Sequence, residues 1–275
     1  MTLALHAAAW TSAAIVLLIF GYLVREAWPA LLDAGPASFL FGTAWHPTSE
    51  PPQYGVAALF VGTLATTLGA VLVAGPLGIA AALCARFFAP PAVGRWFTRF
   101  VVLFAGVPSV VFGLWGLTAV APLVRRIAPP GTSLLTAVIV LALMILPTVA
   151  LLAGTALERV REEHLRAAAA LSLSRASTLT GVVWPSARAG FLVAVVLGTA
   201  RALGETMAVL MVAGNVVRVP ASLFDPVRTL TANIALELGY ATQEHRAALF
   251  VTGLVLLLLV TVLVLVSRAA GAARA

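Results

Sequence analysis

Six stretches of about twenty mostly apolar residues follow one another along this chain, and that pattern restricts the solvent it can fold in. A helix crossing the hydrocarbon core of a bilayer needs about 20 such residues. The stretches span 7–24, 56–83, 100–124, 133–157, 190–213 and 248–266, with Pro76, Pro108 and Pro147 inside the second, third and fourth. Of the 275 residues 61% are hydrophobic and 10% charged, against about 45–50% and about 25% in soluble domains. The runs leave no room for a separate soluble domain. The expectation is an all-α polytopic membrane protein with six transmembrane helices, a single domain over 1–275. The first run reads as a retained helix rather than a cleaved leader: residues 1–6 carry only His6, and the run ends in Arg25 and Glu26.

The formal charge is +7, and all seventeen basic residues are arginine. They are scattered between apolar spans rather than clustered, which speaks against a nucleic-acid partner and for loop charges that set orientation. With six spans, one set of loops holds Arg86, Arg95, Arg99, Arg159, Arg161, Arg166, Arg175, Arg188, Arg268 and Arg274. The other holds Arg25, Arg125, Arg126, Arg218, Arg228 and Arg246. Ten against six places both termini and the 157–189 loop in the cytoplasm. The exterior segments 25–55 and 215–245 are rich in Pro, Thr, Ser and Trp and read as ordered loops, with a short helix near 230–238. The single cysteine, Cys84, reads as a small buried hydrophobe.

The chain has no lysine, so it cannot carry an ATP-binding loop ending in Gly-Lys. His6, His46, His164 and His245 lack companions at metal-ligand spacing, and no Ser elbow or Cys/His pairing suggests hydrolysis. No cofactor is expected on this chain and no bond chemistry. Uphill movement of a solute would draw on a partner or an ion gradient.

Two charges fall inside the fifth span, Arg201 and Glu205. Four apart, they would share one face of a continuous helix. Each alone in hydrocarbon costs about 2.5–3.5 kcal/mol. The pair reads either as part of a solute pathway, where the guanidinium fork suits an oxyanion, or as a structural ion pair between helices. Thr206, Ser109, Thr63, Thr66, Thr67 and Thr148 are polar residues that can line the same route, or simply pack helices.

The 157–189 loop reads as a charged helix, a polar turn at Ser172 and Ser174, and a second helix that Pro185 ends. It suits docking against a soluble partner, or else an amphipathic helix resting on the lipid surface. Its residues 166–172 and Pro185 resemble the EAA loop of ABC importer permeases, whose pattern runs Glu-Ala-Ala-x-x-x-Gly and then, after a gap, hydrophobics and Pro. Ala167, Ala168 and Pro185 match; Arg166 stands at the Glu position and Ser172 at the Gly position. Glu162 or Glu163 can supply the carboxylate from a neighbouring turn.

Four further stretches resemble the PstC-type permease subunit of phosphate importers: Phe41-Gly-Thr-Ala-Trp45, Gly106-Val-Pro-Ser-Val-Val-Phe-Gly-Leu-Trp-Gly116, Arg201-Ala-Leu-Gly-Glu-Thr-Met-Ala208, and Ser222 to Thr231 with Ile234-Ala-Leu-Glu237 after it. The resemblance implies a type I, MetI-like permease fold in a bacterial inner membrane. It also implies a sister permease, an ATPase dimer carrying ATP and magnesium, and an external phosphate-binding protein. It places Arg201, Glu205, Thr206 and Ser109 near the pathway, and Glu162, Glu163, Arg166, Ala167, Ala168, Ser172 and Arg175 at the ATPase coupling surface. Three alternatives stay open: a permease for phosphonate, sulfate or molybdate; an ion-coupled secondary transporter, expected to show paired broken helices in two repeated halves; and a structural membrane subunit or receptor.

Overall fold

The computed structural model of the chain describes residues 2–272; Arg274 of the charge count lies outside the described residues, as does the side chain of Arg268. In order, the elements are α1 (Thr2–Ala34), α2 (Pro36–Phe41), the two-residue strands β1 (Trp45–His46) and β2 (Gln53–Tyr54), and α3 (Ala57–Leu83), which runs into a π turn (Cys84–Phe88). Then come α4 (Pro91–Ala105), α5 (Ser109–Trp115), a second π turn (Gly116–Val120), α6 (Ala121–Arg125), α7 (Leu134–Glu158), α8 (Glu162–Ala170) and α9 (Arg175–Thr178). A third π turn (Leu179–Val183) leads into α10 (Trp184–Leu203), followed by α11 (Met207–Val212), α12 (Leu230–Glu237) and α13 (Gln243–Ala272).

Five of these helical stretches are long and apolar enough to cross a membrane, and α4 with the helix Ser109–Arg125, bent by 92° at its break, makes a sixth when the two are counted as one span. Helix is the form that satisfies every backbone polar group within one segment, as hydrocarbon requires. The core is built around α7, whose span is the most buried of the set. α3 and α10 pack against it, and α1 lies along α13. The rest of the apolar surface faces outward, with Leu18, Leu72 and Leu103 all more than two-thirds exposed, as lipid-facing side chains should be.

Small residues set the helix spacing. A Cβ on Gly69 would lie 2.6 Å from Val138 Cγ2, and one on Gly78 would lie 2.9 Å from Val149 Cβ, so α3 meets α7 almost backbone to side chain. Thr63 and Thr66 are buried and return their hydroxyls to their own helix, donating to the Leu59 and Gly62 carbonyls at 2.8 Å. They and the buried Thr67 pack helices and do not line an open route.

Four sequence expectations need correction. The third span is not one straight helix over 100–124: it starts at Pro91 and breaks at Gly106-Val107-Pro108. Proline lacks the N–H needed to continue the helix and pushes the residue before it toward extended backbone. The fifth span does not run from 190 to 213. It begins at Arg175, ends at Leu203, and α11 is separate. Pro185 therefore does not end a helix but sits in the first turn of α10. The π turn ahead of it uses a wider register, with the Trp184 N–H donating to the Leu179 carbonyl, and the Ser186 hydroxyl donates to the Val182 carbonyl at 2.6 Å. Cys84, expected to be buried, is exposed.

Candidate functional site

The break between α10 and α11 is where polar groups collect inside a membrane-crossing part of the chain. α10 ends at Leu203, Gly204 and Glu205 run across the gap, and Thr206 opens α11. The Glu205 carboxylate turns forward, its Oε1 accepting from the Ala208 N–H at 3.1 Å, so it caps the first turn of α11. The Glu205 carbonyl accepts from the Thr231 hydroxyl at 2.8 Å, which ties the break to α12. A cleft of about 620 Å³ opens beside these groups, lined by Gly204, Thr206, Thr231, Ile234, Leu238 and Leu256 among others.

Arg201 and Glu205 consequently do not form the expected pair. The pair required a helix continuous through 205, and the helix stops two residues earlier. Arg201 sits in the last turn of α10, exposed, with no ion-pair partner among the described residues. A helix C-terminus favours a cation.

The second interruption packs against the first. Gly113 of α5 meets α11 so closely that a Cβ would lie 3.0 Å from the Ala208 Cα and 2.8 Å from the Met211 sulfur. Gly116 likewise meets Val212. The contacts rise together along both elements, so α5 and α11 run in the same direction. Half-buried Ser109, four residues before Gly113, begins α5 at the end where Thr206 begins α11.

The loops on this side are held by a buried cluster that sequence reasoning missed. Glu237 is 5% exposed. Its Oε1 accepts from Arg228 Nη1 at 2.6 Å, and its Oε2 accepts from Trp45 Nε1 at 2.7 Å and lies 2.8 Å from His245 Nε2. Arg228 also donates to Asn233 Oδ1 at 3.0 Å and to the Asn215 carbonyl at 2.9 Å. The cluster joins β1, the 214–228 loop, α12 and the start of α13. The available signal was that Trp45, Arg228, Glu237 and His245 all stand in loops assigned to the same side.

Nearer the loop surface Asp225 accepts from the Ala221 and Ser222 N–H groups at 2.8 and 3.1 Å and pairs with Arg218. The bond from Arg218, aided by those backbone donors, holds its carboxyl below the usual carboxylate range. A depressed folded value stabilises the loop above the ordinary aspartate pKa, and that support is lost as pH falls through the depressed value. The loop in turn accepts the first N–H groups of α7: Leu134 donates to the Asp225 carbonyl at 2.8 Å and Leu135 to the Leu223 carbonyl at 2.7 Å.

On the opposite face, α8 packs Leu165 and Ala168 inward and turns its charged side outward. Glu162 pairs with Arg166 at 2.7 Å and Glu163 with Arg161 at 2.6 Å, all four exposed. Ala167 is exposed and Ala168 buried. The helix ends in a Schellman turn: Leu173 N–H donates to the Ala168 carbonyl at 3.1 Å and Ser172 N–H to the Ala169 carbonyl at 2.9 Å, with Ser172 at φ 52°. That left-handed residue falls where the EAA pattern has glycine. Arg175 opens the following helix, capped by Ser174, whose Oγ accepts from the Ser177 N–H at 3.1 Å.

A bundle of interrupted apolar helices, with a polar cleft toward one face and a charged helix on the other, is the architecture of a membrane transport subunit. Residues 74–273 match the model of the binding-protein-dependent transport system inner membrane component, and the chain belongs to that family. It is 38% identical over 237 residues to the probable ABC transporter permease protein YqgH of Bacillus subtilis, covering 85% of this chain and 77% of that protein. It is 32% identical over 289 residues to the phosphate transport system permease protein PstC of Mesorhizobium japonicum, covering 96% and 88%. In fold it is similar to a chain of the MetNI methionine ABC transporter in an inward-facing conformation, with a TM-score of 0.60 and 19% identity over 83% of this chain and all of that one. A secondary transporter is expected to show paired broken helices in two repeated halves; interrupted helices are present here in an ABC transporter permease, so interruption alone does not separate the two classes.

Proposed function

We propose that this chain is a permease subunit of an ATP-driven importer of inorganic phosphate. It acts beside a sister permease, above an ATPase dimer that holds ATP and magnesium, and below an external phosphate-binding protein. It lies in the bacterial inner membrane with both termini in the cytoplasm, the side that the arginine count favours.

The observation that carries the reading is Arg201: a permanent cation at the end of a membrane-crossing helix, exposed, unpaired, beside a polar break. A cation there is costly unless something else meets it, and its planar fork suits a tetrahedral oxyanion. The surface it occupies is one that a sister permease would turn into a pathway wall. Thr206, Thr231 and Ser109 offer hydroxyls near the same level, and Glu205 acts there as the cap that fixes the break rather than as a ligand. The phosphate permeases among the relatives favour phosphate over phosphonate, sulfate or molybdate. α8 and Arg175 would receive the ATPase stroke, with Glu162, Glu163 and Arg166 on the docking face and Ser172 shaping its end.

The test is ATP-dependent phosphate uptake by the complete complex in liposomes, wild type against Arg201→Gln. The expected result is normal assembly and uptake at background for the variant. Equal uptake by both removes Arg201 from the pathway. Uptake of another oxyanion in place of phosphate by the wild type replaces the substrate and keeps the site.

A further inference from the structure

A cation-lined cavity lies at the α8 end of the bundle, far along the chain from Arg201. It has a volume of about 970 Å³ and opens between the π turn after α3, most of α4 and the last turns of α7. Arg86, Arg95 and Arg99 line it, with Glu158 as the one acidic neighbour. None of these four takes part in an ion pair among the described residues.

The crowding is built in. Gly94 is buried against the π turn, and a Cβ there would lie 2.6 Å from the Ala85 carbonyl oxygen. That close approach brings the turn carrying Arg86 against the helix carrying Arg95 and Arg99. The two α4 arginines are four apart and so share a face. Arg99 also sits 5.8 Å over the Trp96 ring, which fixes its direction. Like charges gathered without counter-charges repel; an anion bridging them removes that cost, and guanidinium forks match phosphate oxygens.

Next to the cavity α4 presents Val93, Trp96, Phe100 and Leu103, all more than half exposed at helical spacing. A tryptophan beside arginines at a span end is the arrangement of a headgroup-level anchor.

We propose that this cavity binds a phosphate group, carried by the headgroup of an anionic phospholipid or present as free phosphate. The apolar stripe beside it favours the lipid, whose chains would lie along α4. The inference is independent of which solute the transporter carries.

The test uses the delipidated full-length chain in neutral detergent. Thermal unfolding and native mass spectrometry are followed while phosphatidylglycerol, phosphatidylcholine or inorganic phosphate is added at constant ionic strength. Phosphatidylglycerol should bind and raise the unfolding temperature where phosphatidylcholine does not. Saturable stabilisation by inorganic phosphate alone would also support the site, with the free anion as its source. Arg95→Gln/Arg99→Gln should weaken binding on the order of tenfold or more. Arg125→Gln/Arg126→Gln, at the opposite face, should leave it unchanged. Glu158→Gln, which removes the one repelling charge, should tighten it, and this arm survives if the arginine variant folds poorly. Equal effects of the two lipids with no response to phosphate, or tightening absent in Glu158→Gln, would overturn the proposal.

Discussion

Replacing Glu237 by glutamine keeps its shape and sets the amide nitrogen against donors. Trp45, Arg228 and His245 all converge on the two carboxylate oxygens, so a single amide oxygen cannot serve the indole and the guanidinium at once. Breaking a buried charge pair costs about 3–5 kcal/mol. Glu237→Gln should therefore lower the unfolding temperature in detergent sharply, whereas Glu26→Gln, outside the cluster, should barely move it. A small shift for Glu237→Gln would mean the cluster is hydrated and weak. At Ser172 the sign reverses. A left-handed residue with a side chain is strained, and glycine is not. Ser172→Gly should steady the Schellman turn by about 1 kcal/mol, read as slower amide exchange at Ser172 and Leu173. Unchanged exchange there would show that the turn is already fully formed.

At the scale of elements, what the sequence disclosed was the apolar run, because hydrocarbon demands length and hydrophobicity and both are local. The runs at 56–83 and 133–157 became α3 and α7 to within a residue or two, and the short exterior helix near 230–238 became α12. What it did not disclose was where an apolar run stops being one helix. Residues 100–124 stay apolar across their break, marked only by Gly106 and Pro108, and at the break in 190–213 the charges of Arg201 and Glu205 read as one helical face while Gly204 alone signalled a stop; Pro76 and Pro147 stay inside unbroken helices. Tertiary packing then joins the broken pieces: Gly113 and Gly116 let α5 and α11 lean on each other. The site suffered the same loss, since Arg201 was found from its charge while its pairing with Glu205 depended on a helix that does not continue. Spacing between elements rests on similar small residues. Gly78→Val would place branched carbons where Val149 and the Ala150 nitrogen already lie within 2.9–3.2 Å of a Cβ. Overpacking of this kind costs about 1–3 kcal/mol, and Gly78→Val should reduce both yield and unfolding temperature; Gly154→Val, with open space around its Cβ, should do neither.

Across the whole molecule, the stretch from Arg175 to Leu203 is one continuous helical rod of 29 residues, about 44 Å long at 1.5 Å per residue. The reading from sequence divided it into a loop helix and a span. As one rod, it carries Arg175 at the α8 face and Arg201 at the polar break, so a push on the docking face reaches the cleft without crossing a flexible joint. α8 is fixed to it at the π turn, where half-buried Leu165 and Leu179 join the cluster of Val160, Val183 and Ala187. Inserting Gly-Gly after Gly181 would place a flexible joint in the rod. Gly181→Ala, with no heavy atom within 4 Å of the new Cβ, keeps it stiff. The insertion is expected to leave the chain folded and membrane-inserted but to abolish ATP-driven uptake, while Gly181→Ala transports as wild type does. If the insertion variant transports normally, motion reaches the cleft by another element, with α7, which ends at Glu158 just before α8, as the alternative lever.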